Sequence, residues 1–305
     1  MKGKTQTKRK IKRNTEDWIM DSVISVVMVL VLVVTIYPFW NVIIQSLNAA
    51  SDTARGGLWL YPRQFTLQNF KELLSDSGWS TAIVVSVART VVGTALGVSV
   101  TGIVAFAMSQ TDLLFRNMYY RIFMFTMYFG GGIIPFYILL KTIHMNNTFW
   151  VYVIPGCLSV YNMLIMINFY QSIPKSLYES AQLDGATYMQ IFVKITVPLS
   201  KACVATIALY NAVSQWNAWM DTAYYTTSES LKTMSMKMME IINLASISVE
   251  KGDIMTGGAI SSALRATPRS LQAASMVLAV TPILCVYPFL QKYFVKGVMI
   301  GSVKE

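Results

Sequence analysis

Few side chains in this 305-residue chain have both the type and the spacing for covalent chemistry. His144 is the single histidine and has no second ligand near it in sequence, which removes the usual zinc-hydrolase and haem arrangements. Cys157, Cys203 and Cys285 each lie inside an apolar stretch, where a free cysteine acts as a small hydrophobe. Their spacing offers neither a disulfide framework nor a metal set. No G-x-x-x-x-G-K-[ST] loop occurs, so the chain does not itself cradle ATP phosphates. An enzyme is therefore not expected. What remains is a set of polar and glycine positions embedded in apolar runs, and one densely patterned polar segment over residues 172–198.

That segment holds two capping-box patterns. Ser176 and Glu179 form S-x-x-E just after Pro174, and Thr187 and Gln190 form a second box. Gly185 between them permits a positive-φ turn. The expectation is two short helices with a glycine corner, projecting from whatever carries them. Leu177, Tyr178, Ala181 and Leu183 would then present an apolar surface with few partners inside the chain. A plain connecting loop would account for the same residues.

Only 13% of residues are charged, against about 25% in soluble domains, and 54% are hydrophobic, with a mean hydropathy of +0.48. The expected fold class is an all-α polytopic membrane protein. Six segments are long and apolar enough to cross about 30 Å of hydrocarbon: residues 18–47, 79–109, 118–140, 149–170, 191–216 and 271–294. The net charge of +10 does not point to nucleic acid, because seven of the 25 basic residues fall within the first 13, directly before an apolar run. Such an arm keeps an N-terminus in the cytoplasm. With both ends inside, 15 basic residues lie on the cytoplasmic side, nine outside and Arg89 within a span, so the expected topology is N-in/C-in. The chain then divides into a basic arm (1–17), a first span with its outer loop (18–78), a core (79–294) and a cytoplasmic tail (295–305). The core contains the cytoplasmic segment 173–190 and the outer loop 220–270. Apolar spacing over 231–244 predicts a helix on the outer face, read either as a cap over the bundle or as a docking surface.

Two features inside the spans have alternative readings. Arg89 is a deep charge that must face protein, water or a substrate path, and it is either satisfied structurally or part of that path. No span carries an Asp or Glu near mid-depth, which makes an external energy source the simpler means of driving transport. Gly130, Gly131 and Gly132 followed by Pro135 weaken the third span near mid-membrane. Such a break either serves close helix packing or lines a wet cavity.

The run Glu179-Ser-Ala181, Gly185 after three residues, Ile195 after nine more and then Pro198 resembles the E-A-A-x3-G-x9-I-x-L-P motif of the permease subunits of bacterial ABC importers. Ser180 and Val197 depart from it conservatively. Asp184-Gly185-Ala186 matches the form common in sugar permeases. The end, Lys296-Gly-Val-Met-Ile-Gly301-Ser-Val-Lys304, resembles the tail of maltose-type permeases. Gly130 to Pro135 and Tyr293-Phe-Val-Lys-Gly resemble a subgroup that handles complex oligosaccharides. From about residue 69 onward the chain is similar to the smaller of two paired maltose-type permeases.

The resemblance implies the six-helix type I ABC importer permease fold in a bacterial cell membrane. It implies a second homologous permease subunit, an ABC ATPase dimer, an external solute-binding protein and an oligosaccharide substrate in a lipid bilayer. No cofactor would bind this chain, since ATP and Mg would sit on the ATPase. The helix over 176–184 would enter a cleft of that ATPase. Glu179 would pair with a basic group there, and Ala181 and Gly185 would permit close approach, with Asp184, Ile195 and Pro198 completing the motif. Lys296, Gly301 and Lys304 would belong to a tail reaching the same interface. Trp216 and Asn217 fall where the family places its gate.

Sugar recognition needs aromatic faces and amide or hydroxyl groups. Candidates for a substrate path are Arg89, Tyr128, Gly131, Tyr161, Asn162, Tyr210, Asn211, Gln215, Trp216 and Asn217. An interhelical hydrogen bond or an interfacial anchor is the simpler account of any single one. In maltose-type systems the paired permease supplies most sugar contacts. Two alternatives remain: a permease for a non-sugar solute, and a channel or receptor without an ATPase.

Overall fold

The computed structural model describes residues 15–250 and 267–302, the side chains of residues 15, 245–250, 287 and 289–302 excepted. Among the described residues the protein is helical, with one isolated antiparallel bridge between Asn48 and Phe65.

Helix α1 (Thr15–Ser46) is the first expected span. Its central apolar window is wholly unburied within this chain, as suits a surface left to lipid or to another subunit. Only its end is packed, where Ile44 and Ser46 are buried. The loop beyond it is ordered by polar contacts. Asn48 Nδ2 donates to Asp52 Oδ2 at 2.9 Å, and Arg63 Nε donates to the same oxygen at 2.9 Å. Asn69 Nδ2 donates to the carbonyls of Ser46 and Asn48, both at 2.9 Å. Short α2 (Ala50–Ala54) and α3 (Gln68–Ser75) lie in this loop.

The central rod is α4 (Ser77–Ser109), which starts where Asp76 accepts a hydrogen bond from the amide of Gly78 at 2.9 Å. Gly93, Gly97, Thr101, Gly102 and Ala105 are buried along it. These small residues let other helices approach closely, which is how spans pack where lipid offers no hydrophobic drive. Helices α5 (Arg116–Tyr128) and α6 (Ile133–Thr142) occupy the expected third span but meet at 114°, broken over the three glycines. The chain expected to cross as one helix over 149–170 instead makes a 3-10 turn at Phe149–Tyr152. It then bends through Pro155 and Gly156 and forms α7 (Val160–Gln171). The proline and glycine stop a helix that the local hydropathy alone would continue. The expected segment 173–190 forms α8 (Lys175–Leu183) and opens α9 (Tyr188–Ile191), at whose end the fifth expected span begins. It passes a π-turn at Phe192–Thr196 and short α10 (Val197–Leu199), then bends by 86° into α11 (Lys201–Asn217). Helices α12 (Met220–Tyr225), α13 (Met234–Glu250) and α14 (Pro268–Ser302) complete the described chain.

By length and composition, three described helices can cross a membrane, or five if each bent pair is one crossing. Three buried clusters hold the bundle, one of them Leu140, Val151, Tyr152 and Val153 beside Val85, Val92 and Leu96 of α4. At one end Leu73, Trp79, Trp216 and Met234 form a buried cluster. At the other, Phe106, Met163, Met166, Tyr170, Ile191 and Ile207 do so around the last turns of α4. The expected outer helix over 231–244 forms as α13, three residues later. Its Met234, Met238 and Ile241 cover the Trp79 cluster, so this apolar face is spent on the bundle.

Candidate functional site

The segment between α7 and α11 has the expected shape, with one change in how it starts. Helix α8 begins at Lys175 with Pro174 as its cap residue, and no side chain caps it. The Ser176–Glu179 box does not form. The fixed φ of Pro174 already sets the chain direction, and this places Ser176 inside the first turn. At the far end the amide of Gly185 donates to the Gln182 carbonyl at 3.0 Å, and that of Ala186 to the Ala181 carbonyl at 2.9 Å. This paired closure requires a positive φ at the intervening residue, and Gly185 has φ +79°. The next helix opens two residues later with the expected box. Gln190 N donates to Thr187 Oγ1 at 3.3 Å, and Thr187 N to Gln190 Oε1 at 2.9 Å. One cap follows another with almost no free chain between them, so the corner is stiff.

Side-chain directions divide the motif residues. Glu179, Asp184, Gly185 and Pro198 are exposed. Ala181 and Ile195 are half-buried and pack on the inner cluster. Tyr178 also turns inward: its ring meets Phe106 edge-on at 6.3 Å, and its hydroxyl accepts from Thr196 Oγ1 at 3.3 Å. The expected apolar outer surface is therefore reduced to Leu177 and to Leu183, which is 89% exposed. Ala181 is half-buried against the inner cluster, whereas Gly185 is exposed. Nothing lies within 4 Å of a Cβ built on Gly185, so its glycine is required by backbone conformation. Glu179 lines a cleft of about 450 Å³ with Lys175 and Gln182 on one side and Gln110, Thr111 and Asp112 on the other. On the other side of Asp112, the hydroxyl of Tyr188 donates to its Oδ2 at 2.5 Å, and that carboxylate holds the phenol above its ordinary pKa.

At the opposite end, Arg89 is 2% exposed and fully engaged. Its Nε donates to Gln215 Oε1 at 3.0 Å and its Nη1 to the Ala218 carbonyl at 3.2 Å. Nη1 also donates to Asp221 Oδ1 at 3.0 Å, while Nη2 pairs with Asp221 Oδ2. The ring of Tyr152 stacks on the guanidinium at 4.6 Å. Tyr152 in turn donates from its hydroxyl to the Leu231 carbonyl at 2.7 Å. These contacts are the ones the structural reading of Arg89 asks for. Asp221 and Tyr152 were not legible from sequence, because they come from 132 and 63 positions away with no periodic signal to link them.

The remaining substrate-path candidates do not form one cluster. Gln215 belongs to the Arg89 network and also donates to the Tyr152 carbonyl at 3.3 Å. Trp216 is buried, with its indole N–H on the Ala279 carbonyl at 2.9 Å. Asn162 is buried and donates to Asn211 Oδ1 at 3.5 Å. The amide nitrogen of Asn211 is buried without a partner. Tyr128, Gly131, Tyr161, Tyr210 and Asn217 are exposed within this chain. Gly131 borders a shallow site with Gly132, Pro135, Phe136 and Tyr225. Lys296 and Gly301 fall on the backbone of α14, and Lys304 lies outside the described residues, as does the arm over 1–13. Among the described residues no cluster of His, Cys, Asp or Glu could hold a metal.

Comparison with known proteins bears on the whole arrangement. The family model described as "Binding-protein-dependent transport system inner membrane component" matches residues 93–300. Protein LplC of Bacillus subtilis (strain 168) is 34% identical over 273 residues, covering 89% of this chain and 90% of that protein. The polygalacturonan/rhamnogalacturonan transport system permease protein YtcP of the same organism is 33% identical over 271 residues, covering 89% of this chain and 93% of that one. A chain in the crystal structure of a bacterial ABC transporter involved in the import of the acidic polysaccharide alginate superposes with a TM-score of 0.82. It is 23% identical, over 93% of this chain and all of that chain.

Proposed function

The chain belongs to the family of binding-protein-dependent transport system inner membrane components, and we propose that it is one of two permease subunits in an ATP-driven oligosaccharide importer of a bacterial cell membrane. The observation that carries this reading is the stiff, exposed helix α8, closed by the Gly185 corner and joined at once to the path leading into α11. A short helix with tight caps at its exit has little to offer chemically. It suits a part that sits in a socket and passes a displacement onward. Glu179 and Leu183 point outward for that socket, whereas Ala181 and Ile195 fix the helix to the bundle.

The substrate class is supported by YtcP, whose name assigns it to polygalacturonan and rhamnogalacturonan, and by the alginate importer as a fold relative. Arg89 is not available as a counter-ion for an acidic cargo, because Asp221 already neutralises it. The partners would be a second homologous permease, an ATPase dimer carrying ATP and Mg, and an external solute-binding protein. The outer surface from α12 to α14 would receive that protein, and both chain ends would lie in the cytoplasm.

The test is a gentle-detergent purification of the tagged chain from its native membrane, with partners identified by mass. Recovery of a second permease, an ATPase and a solute-binding protein is the expected result. Recovery of the chain alone would favour a channel or receptor.

A further inference from the structure

The coupling segment follows α7 directly and leads on into α11 through compliant joints: a π-turn at Phe192–Thr196, Pro198 and the 86° bend at Ser200. Such joints absorb displacement, since each interrupts the regular hydrogen-bond ladder. A lateral connection to the α4–α5 link also exists. Asp112 lies in the short link between α4 and α5, and the hydroxyl of Tyr188, on α9, donates to it at 2.5 Å. Phe192 and Phe106 lie 5.2 Å apart beneath this bond. Asp112 and Tyr188 together rim a mostly apolar cleft of about 440 Å³ that separates α9 from the end of α4. Asp112 also lines the opposite cleft, which faces Glu179 and Gln182 of α8. The link is itself anchored: Arg116 Nε donates to the Met108 carbonyl at 2.9 Å and the guanidinium stacks on Tyr120 at 5.4 Å. Phe115, the cap residue of α5, adopts a left-handed φ of +56° at this corner.

We propose that the Tyr188–Asp112 hydrogen bond is a strut that carries displacement of the coupling segment across to the α4–α5 link, and so to the broken pair α5–α6. Tyr188 is thus a positioning residue for transport, outside the E-A-A-type motif. Between the two clefts that flank Asp112, the bond adds a polar tie to the α4–α5 link beside the apolar packing of Tyr178 and Phe192 on Phe106. A charged acceptor makes the bond short and directional. The proposal rests on α8 being the ATPase-facing element.

The experiment measures substrate uptake and ATP turnover together in the reconstituted importer. Tyr188→Phe removes the hydroxyl and keeps the ring in its cleft. The expected result is normal complex yield and ATP turnover, with uptake per ATP lowered about fivefold or more, the lower end of typical site-to-site couplings. Asp112→Asn keeps an acceptor oxygen and should retain most of the coupling. Asp112→Ala should match Tyr188→Phe, and the pair combined should be no worse than either alone. Unchanged uptake per ATP in Tyr188→Phe overturns the proposal, as does a parallel fall of complex yield, turnover and uptake, which marks a merely structural bond. Gly185→Trp in the same assay separates the two ideas. If it abolishes uptake while Tyr188→Phe is silent, α8 couples but the strut does not; if it too is silent, the coupling role of α8 falls and the strut with it.

Discussion

Removing the carboxylate of Asp221 tests the account of Arg89 most directly. In Asp221→Ala the guanidinium remains 2% exposed and keeps Gln215, the Ala218 carbonyl and the Tyr152 ring, but loses its counter-charge. Breaking a buried ion pair costs about 3–5 kcal/mol because the partner charge is stranded. Here the carboxylate side is 23% exposed, so water already screens part of the attraction and readmits some solvation on its loss. A cost of about 2–3 kcal/mol follows, just below that range. For a chain of 305 residues that corresponds to a fall in Tm of about 3–5 °C, read by thermal unfolding in mild detergent.

The double variant Arg89→Met/Asp221→Leu removes both charges and should be closer to wild type than Asp221→Ala. Uptake by Asp221→Ala, scaled to folded protein, should show no selective loss of substrate affinity. A variant that unfolds like wild type yet loses affinity would refute the structural assignment and return Arg89 to the substrate path.

Other consequences are testable in the same preparations. Gly185→Ala forces a side chain into φ +79° and should destabilise the corner by about 1 kcal/mol, lowering uptake without altering the bundle's far-UV circular dichroism. Thr187→Ala removes the second cap and should cost about 0.5–2 kcal/mol locally, read as faster amide exchange over 187–191. A Cβ at Gly93 would lie 2.8 Å from Gln215 Cδ, so Gly93→Ala should cost about 1–3 kcal/mol by overpacking and shift Gln215 off Arg89, lowering Tm. The hydrogen bond from Asn48 and the Arg63 guanidinium hold Asp52 below its ordinary pKa. Its contribution is therefore complete above the ordinary carboxylate range and lost as the pH falls through that lowered value; protease sensitivity of the loop over 48–66 should rise there.

Sequence pattern served best where the determinant is local. The Gly185 corner and the Thr187–Gln190 box both form, since each depends on residues within six positions. The glycines at 130–132 break the third span as their chemistry requires. Ser176 failed for an equally local reason, since Pro174 set the helix start before its side chain could. The Pro155-Gly156 corner was available in the sequence but was averaged away by window hydropathy. Side-chain direction was not legible: Tyr178 and Ala181 seemed free in a nine-residue helix, and only the neighbouring Phe106 and Ile191 decide that they face inward. The Arg89 network was invisible because Asp221 sits in a polar stretch that reads as outer loop.

The same packing indicates which parts of the bundle can move. Helix α11, 17 residues and so about 25 Å long, runs from the bend beside the coupling segment to the Arg89 network. Along it, Asn211 and Gln215 lie against Gly97 and Gly93 of α4, with no room for an added carbon at Gly93. Sliding α11 along α4 would drag Gln215 from this notch and take it from Arg89, a buried cation that cannot spare its partners. The two helices are therefore one body. Displacement entering at α8 must be taken up at the joints this body lacks: the bend at Ser200, the π-turn before it, and the 114° break between α5 and α6. This is why the link carrying Asp112 matters, since it borders both the rigid rod α4 and the first half of the broken pair.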